Sequence, residues 1–316
     1  MKHYLGIDLG GTDVKVGVVR EDFSIVARHT VPTLAARPAG EVIADMAAAG
    51  REALRIAGLS ETDVPYVGIG VPGLLNCNNN QIVYANNLNW RNVDLIPIFR
   101  SEWDVPVHLA NDADVAALAE VHAGAAREYD HAIMVTLGTG VGGGLIFNKQ
   151  LYTGGDGFGT EPGHIIIVSG GEACTCGLRG CFEAYSSVTA LIRDTIRAMA
   201  DYPDTIMRDI CGGNISHVNG RTAFEAAKKG DAAAKLVISN YVSYLTTGLV
   251  SLINLFRPQA IIIGGGVSDA GDALFDPLRE AVASCIWDPK TTGVTPILKA
   301  VLGNDAGVIG AALLGV

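Results

Sequence analysis

Residues 4–20 read YLGIDLGGTDVKVGVVR and contain two strand-like segments on either side of a glycine turn. The first segment, residues 4–8, is a short apolar run that ends in a carboxylate. The second, residues 14–19, places valine at every other position, which is the period of a half-buried strand. A strand, a tight turn and a returning strand predict a β-hairpin rather than a βαβ unit.

Further along the chain, strands alternate with helices, and the opening pattern recurs once. The first copy continues with a helix over 41–59, strands over 67–71 and 105–109, and a helix from Asn111 to about His122. The second copy has strands over 132–137 and 144–147, helices over 184–200 and 222–256, a strand over 260–263 and a helix over 304–316. We therefore predict an α/β fold of two lobes with a cleft between them. The small lobe comprises residues 1–118, completed by the helix 304–316, and the large lobe comprises residues 119–303.

Composition excludes several classes of protein. The chain has 316 residues, of which 49% are hydrophobic and 18% charged, so a disordered protein is excluded. A formal net charge of -10 argues against nucleic acid as a partner. No uninterrupted apolar run approaches the ~18 residues of a membrane span. Asp8 lies where a signal peptide needs an apolar stretch, so we expect a cytoplasmic protein without membrane contact.

Two glycine turns occupy equivalent positions in the two copies: Asp8-Leu9-Gly10-Gly11-Thr12 and Gly138-Thr139-Gly140. Glycines let backbone N–H groups approach phosphate oxygens, and a carboxylate at a strand end can hold Mg²⁺ through water. Two such turns that face each other would bind a polyphosphate, whereas either turn alone can be purely structural.

The second turn also satisfies a dinucleotide fingerprint, Gly138-x-Gly140-x-x-Gly143, with Glu161 as the candidate ribose acid. That fingerprint requires a helix directly after the glycines. Residues 145–149 are strand-like and then turn-like, so the sequence argues against a dehydrogenase.

The cysteines indicate a metal site rather than disulfides. Cys174, Cys176 and Cys181 cluster ten or more residues after His164, and three thiolates with one imidazole suit a closed tetrahedral Zn²⁺. The alternative for His164 is a core histidine bonded to a carbonyl group. Cys77, Cys211 and Cys285 are scattered, as expected for ordinary thiols.

Taken together, these motifs resemble the sugar kinases of the ROK family, and within it the glucokinases. The resemblance spans nearly the whole chain and rests on these segments: Asp8-x-Gly10-Gly11-Thr12, Gly70-Val71-Pro72-Gly73, Asn111-Asp112-Ala113, the turn from Gly138, Glu161-x-Gly163-His164, Cys174-x-Cys176-Gly177-x-x-Gly180-Cys181-x-Glu183 and Gly264-Gly265-Gly266. It implies an actin-like, ribonuclease H-like ATPase fold and ATP-dependent phosphorylation of a hexose, with glucose as the expected substrate. The family's repressors carry a DNA-binding segment before the first strand, so we expect that role to be excluded here.

The resemblance also assigns roles to individual residues. It implies that Asp112 is the general base, although the dipeptide Asn111-Asp112 alone is more typical of a helix N-cap. The implied sugar contacts are Gly70, Asn111, Asp112, Glu161, His164 and Glu183. ATP with Mg²⁺ would bind Asp8, Gly10, Gly11, Thr12, Gly138, Thr139, Gly140, Gly264, Gly265 and Gly266. The resemblance implies His164, Cys174, Cys176 and Cys181 as the ligands of a structural Zn²⁺, and a homodimer or homotetramer as the assembly.

Two residues depart from the family pattern. Pro162 stands where the family has an aliphatic residue before Gly-His, and Asp114 replaces an asparagine that often follows Asn-Asp-Ala. Because of these two departures, the sequence leaves four alternatives to glucose as the substrate: N-acetylmannosamine, N-acetylglucosamine, fructose and allose. A sugar-sensing regulator without catalysis is the alternative from another class, and the presence of Asp112 argues against it.

Overall fold

The structure is a computed structural model that describes residues 2–76 and 81–316. Its strands are β1 (His3–Leu9), β2 (Asp13–Arg20), β3 (Ile25–Pro32), β4 (Val67–Val71), β5 (Leu74–Asn76), β6 (Gln81–Ala85), β7 (Trp90–Val93), β8 (Val107–Asn111), β9 (Ala132–Leu137), β10 (Val141–Phe147), β11 (Gln150–Tyr152), β12 (Ala260–Gly264) and β13 (Ile297–Lys299). Its α-helices are α1 (Ala39–Ala57), α2 (Leu95–Glu102), α3 (Asp112–His122), α4 (Glu183–Ser186), α5 (Val188–Asp201), α6 (Met207–Ile210), α7 (Thr222–Lys228), α8 (Ala232–Phe256), α9 (Asp272–Cys285), α10 (Pro289–Thr292) and α11 (Ala306–Ala312). Short 3₁₀ turns include Pro162–His164 and Gly266–Ala270.

Two sheets share one topology, which confirms the predicted internal repeat. The first sheet has the strand order β3-β2-β1-β4-β8, and the second has the order β11-β10-β9-β12-β13. In the first sheet, β1 pairs antiparallel with β2 and parallel with β4, which in turn pairs parallel with β8. A smaller sheet has the order β5-β6-β7. The mixed α/β class predicted from the sequence is therefore confirmed.

Alternation along β1 assigns its residues to two covered faces. Leu5, Ile7 and Leu9 lie in a core that also contains residues of α1. Gly6 points the other way, where a side chain would collide with α11 at Val308. Successive residues of a strand face opposite sides, so one face of this sheet is covered by α1 and the other by the small-residue helix α11.

The chain divides into two compact units. Unit 1 comprises Met1–Ala132, Gly144–Thr160 and Val301–Val316, and unit 2 comprises Ile133–Gly143 and Glu161–Ala300. Unit 1 thus contains the predicted C-terminal helix, and it also contains residues 119–132, 144–160 and 301–303, which the sequence pattern places in the large lobe. Glu120 explains this membership, because its carboxylate accepts hydrogen bonds from the backbone N–H groups of Val301 and Leu302, both at 2.8 Å.

Several elements differ from those predicted. The helix expected over 184–200 is broken at Ser187, whose hydroxyl accepts the Ala190 N–H and so begins α5. The helix expected over 222–256 is interrupted before Asp231, which caps α8 in the same way. The last helix is also shorter than predicted, since a 3₁₀ turn precedes α11.

Helix α8 is long and apolar enough, by length and composition, to cross a membrane. Half of its apolar window is buried within the protein. Lys235 is the only charged residue in its sequence. Its buried residues include Leu245, Leu249 and Ile253, which is the pattern of a core helix.

Candidate functional site

The first glycine turn is anchored by hydrogen bonds from a neighbouring strand end. Gly10 N–H donates to the Asp13 carbonyl at 2.9 Å and closes the turn. Thr33 donates its hydroxyl to the Gly10 carbonyl at 2.7 Å and its N–H to the Thr12 carbonyl at 2.8 Å. Thr33 was not predicted, because nothing local in the sequence connects it to residues 10–12. The turn therefore has a fixed backbone, as a phosphate-binding loop requires.

Asp8 is the next-to-last residue of β1 and lies in a crowded, partly buried position. Burial raises the pKa of its carboxyl group above the ordinary value, and Lys15, its partner across the β1–β2 pair, acts in the opposite direction. Gly307 lies against it, because a Cβ at that position would be 2.6 Å from the Asp8 carboxylate. A buried carboxylate of this kind is stabilised by a cation, so the donor set fits a hydrated Mg²⁺ ion.

Parallel pairing brings three predicted site residues to one edge of the first sheet. Asp8 is opposite Gly70 in β4, and Val71 is opposite Asn111 in β8. Gly70 faces α3, where a Cβ would be 2.8 Å from the Val115 side chain. The carboxyl ends of parallel strands are where ligands bind in open α/β sheets.

The dipeptide Asn111-Asp112 suggested two roles, a helix N-cap and a general base, and the two residues differ in their contacts. Asn111 is the N-cap of α3, since its Oδ1 accepts the Ala113 N–H at 2.8 Å and its amide donates to the Gly73 carbonyl at 2.8 Å. Asp112, the first residue of the helix, is exposed and also accepts the Ala113 N–H, at 2.9 Å. The cap accounts for Asn111, whereas Asp112 presents an accessible carboxylate at a helix N-terminus.

In unit 2, the four predicted metal ligands converge. The ligand atoms of His164, Cys174, Cys176 and Cys181 all lie within 4.8 Å of one another. The Cys176 and Cys181 sulfurs are 3.6 Å apart, and Cys174 Sγ is 3.8 Å from His164 Nδ1. Tetrahedral Zn²⁺ with ~2.3 Å Zn–S bonds places its ligands at about such separations.

The electrostatics of this cluster also fit a cation. Burial is the main cause that raises the pKa of the Cys181 thiol to about 12 and shifts that of Cys174 in the same direction. The pKa of Cys176 is lowered, chiefly by the Leu178 N–H. Buried thiols are deprotonated readily only when a metal ion neutralises them, so the residues fit Zn²⁺. Of the remaining cysteines, Cys211 is buried and Cys285 exposed, and Cys77 lies outside the described residues.

Glu161 and Glu183 lie beside this cluster. Burial raises the pKa of Glu161; His164 lowers it and Glu183 raises it further. Glu183 accepts the Val141 N–H with Oε2 at 3.0 Å and the Thr175 hydroxyl with Oε1 at 3.0 Å. The departure at Pro162 is accommodated because this residue begins a 3₁₀ turn, where its fixed φ is favourable and no N–H is needed.

The second glycine turn is held by the segment after the cysteines. Gly138 N–H donates to the Gly140 carbonyl at 3.0 Å. The Gly138 carbonyl accepts the Val188 N–H at 2.8 Å, and the Thr139 carbonyl accepts the Thr189 hydroxyl at 2.7 Å. Strand β10 follows directly, so the dinucleotide interpretation lacks its helix.

The third glycine segment lies next to this turn. Gly265 has a positive φ of 81°, and a Cβ there would collide with the Leu137 backbone, directly before Gly138. Both predicted nucleotide-binding segments of unit 2 therefore meet at one place. Asp114, the other departure, is buried in unit 1 against Gly144.

Comparison with known proteins gives consistent matches over the whole chain. The model of the ROK family matches residues 4–315. A glucokinase of Thermotoga maritima is 37% identical over 310 residues, covering 98% of this chain and 95% of the relative. The crystal structure of a ROK family glucokinase from Streptomyces griseus with glucose and AMPPNP has a TM-score of 0.80 at 34% identity, covering 99% and 98% of the two chains. A ROK hexokinase from Thermus thermophilus has a TM-score of 0.82 at 31% identity, covering 99% and 97%.

Proposed function

This chain belongs to the ROK family, and on that basis we propose that it is an ATP-dependent hexokinase that converts glucose to glucose 6-phosphate. The observation that carries the proposal is the full-length match to glucokinases together with an exposed Asp112 at the start of α3. Fructose, allose and N-acetylhexosamines remain the alternative substrates.

Asp112 is proposed as the general base. Its carboxylate accepts the proton of the sugar 6-hydroxyl as that oxygen attacks the γ-phosphorus of ATP. The bond from the γ-phosphorus to the bridging oxygen breaks, and ADP leaves with the electron pair. Mg²⁺, when bound with ATP, neutralises charge on the phosphates. The backbone N–H groups of the turns at Gly10–Thr12 and Gly138–Gly140 are proposed to orient those phosphates.

The sugar is proposed to contact Gly70, Asn111, Glu161, His164 and Glu183. In support, Glu183 lies near enough to Glu161 to raise the pKa of that carboxyl group. His164 directs Nδ1 toward Cys174, so Nε2 would be available to a sugar hydroxyl when Nδ1 holds the proposed metal. Adenosine is proposed to lie against Gly264–Gly266. In support, the Cβ position of Gly266 is open, whereas those of Gly264 and Gly265 are filled by Met134 and Leu137.

An ADP-release assay with ATP and Mg²⁺ over a panel of hexoses and N-acetylhexosamines tests the reaction. We expect glucose to have the highest kcat/KM, and Asp112→Asn to lower kcat about 10²- to 10⁴-fold while glucose still binds in calorimetry. Asp94→Asn, which changes an exposed acid at the N-cap of α2, is the matched control and should retain activity. Binding of a sugar without any turnover by the wild type would support the sensor instead.

We also propose that the cysteine cluster holds one structural Zn²⁺. Cys181→Ser should lose the metal, and Cys285→Ser, at an exposed thiol outside the cluster, should retain it. Elemental analysis of the purified proteins measures this directly, and thermal unfolding reports the stability that the metal contributes. A wild-type protein that is fully folded without any metal would contradict the assignment.

We propose that the protein assembles in the cytoplasm as a homodimer or homotetramer. In support, α8 and α9 line a groove of about 710 Å³ with small or apolar residues such as Val242, Val250, Pro277 and Ala281. Light scattering after size-exclusion chromatography gives the mass of the assembly. A mass near 33.0 kDa would exclude both oligomers.

A further inference from the structure

Glu183 connects two segments of unit 2 that are far apart in sequence. Its Oε2 accepts the Val141 N–H at 3.0 Å, and its Oε1 accepts the Thr175 hydroxyl at 3.0 Å. The carboxylate also passes so close to Gly140 that any Cβ there would collide with it. One side chain therefore joins the cysteine loop to the glycine turn that precedes β10.

The same glycine turn receives its other anchors from residues just beyond Glu183. Val188 donates its N–H to the Gly138 carbonyl, and Thr189 donates its hydroxyl to the Thr139 carbonyl. All three anchors come from residues 183–189, which begin two positions after Cys181. The position of the turn thus depends on how the segment behind the cysteine cluster is held.

Two residues of the cysteine loop contact Glu183 Oε1, the Thr175 hydroxyl at 3.0 Å and Cys174 Sγ at 3.5 Å, and of these Thr175 has the shorter contact and is not a candidate metal ligand. It lies between Cys174 and Cys176, its side chain is exposed, and it contributes a neutral hydroxyl donor rather than a metal ligand. The terminal torsion of a glutamate is soft. A hydrogen bond to one oxygen therefore fixes the direction of the other, which here is the oxygen that accepts the Val141 N–H.

We propose that Thr175 is a positioning residue that orients the Glu183 carboxylate, so that Glu183 holds the turn Gly138–Val141 in the conformation that receives the phosphates of ATP. The proposal rests on the function proposed above and adds a link from the cysteine loop to the nucleotide rather than to the sugar alone. The close approach of the Glu183 carboxylate also explains why residue 140 is glycine, whether or not a ligand is bound.

The test compares Thr175→Val, which keeps the shape and loses the donor, with Thr175→Ser, which keeps the donor. In Thr175→Val we expect the KM for ATP to rise about tenfold, the effect of losing one hydrogen bond to a charged group at its lower end. We expect kcat to change by less than about threefold, zinc content to stay at the wild-type level, and Thr175→Ser to restore the KM for ATP.

Hydrogen exchange provides a measurement that does not depend on activity. The Val141 N–H, followed by NMR, should exchange about tenfold faster in Thr175→Val than in the wild type or in Thr175→Ser. Unchanged exchange and an unchanged KM for ATP would overturn the proposal, as would a Thr175→Val protein that loses zinc, since Thr175 would then act on the metal site. A wild-type protein that does not use ATP would contradict the proposed function, whereas the exchange rates would still report whether Thr175 holds the turn.

Discussion

Glu120 offers a sharp test of how unit 1 is held together. Its side chain is fully buried near the end of α3, where Oε2 accepts the Ala125 N–H at 2.8 Å and Oε1 accepts the N–H groups of Val301 and Leu302 at the same distance. A Cβ at position 124 would collide with the Glu120 carboxylate, so glycine is the residue that fits there. We predict that Glu120→Ala destabilises the protein strongly and Glu120→Gln less so.

The magnitudes follow from the number of donors that lose their acceptor. In Glu120→Ala the N–H groups of Ala125, Val301 and Leu302 lose their carboxylate acceptor. At ~1–3 kcal/mol for each unsatisfied group the loss is about 3–9 kcal/mol, and we expect a value at the lower end because Val301 is 66% exposed and water can replace its acceptor. Glutamine keeps one carbonyl oxygen, which can still accept from Val301 and Leu302. The amide nitrogen then faces the Ala125 N–H, and we expect a loss of about 1.5–3 kcal/mol.

Guanidinium unfolding followed by tryptophan fluorescence measures the effect. Trp90 and Trp103 are buried in unit 1, whereas Trp287 is 73% exposed, so the signal reports mainly on unit 1. Glu128→Gln, at an exposed glutamate shortly after α3, is the control and should change the free energy of unfolding by less than ~0.5 kcal/mol. If Glu120→Ala behaves like this control, or if Glu120→Gln is as damaging as Glu120→Ala, the hydrogen-bond reasoning is wrong.

Three further substitutions test the reasoning about Asp8 and about two glycines. The pKa of Asp8 is raised in the folded protein, so its contribution to stability is present below the ordinary value of 3.8 and is lost as the pH rises through the folded-state pKa. Asp8→Asn should therefore be more stable than the wild type in urea unfolding at pH 8, and this gain should shrink toward pH 4. The variant should have lost its activity. Gly310→Ala places a Cβ against the Val115 carbonyl and should lower the melting temperature, with a cost of ~1–3 kcal/mol or more, whereas Gly40→Ala, in open space within α1, should raise it slightly.

Local sequence patterns were sufficient to predict the hairpin around Asp8 and the start of α3. In both places the apolar period changes at a glycine turn or a cap, and the deciding residues are neighbours in sequence. Strand β10 begins three residues earlier than predicted, at Val141, because its glycines lie within the strand. Gly143 is required there by the Met134 carbonyl oxygen and the Pro162 ring, and contacts of that kind cannot be read from the sequence.

The same limit applies to the candidate site. The convergence of His164 with the clustered cysteines could be predicted, because these residue types carry recognisable chemistry at recognisable spacing. The role of Asp112 as general base comes from the family resemblance and stays a prediction. Thr33, Thr175 and Glu120 could not, since each acts on backbone or carboxylate groups that only the fold brings near. Glu120 in particular lies in an alanine-rich helix, where a glutamate is ordinarily solvated.

The packing of α11 has a consequence for the order in which the protein folds. The glycines of β1 and β4, Gly6 and Gly68, lie directly against this helix, so that face of the sheet stays uncovered until residues 301–316 arrive. Most of unit 2 is inserted between these partners in the sequence. Contacts between such distant segments form slowly, because a long loop must close before they contribute. We therefore expect the helices of unit 2 to acquire protection first during refolding, and the glycine-lined face of the first sheet to be the surface on which unfinished chains associate.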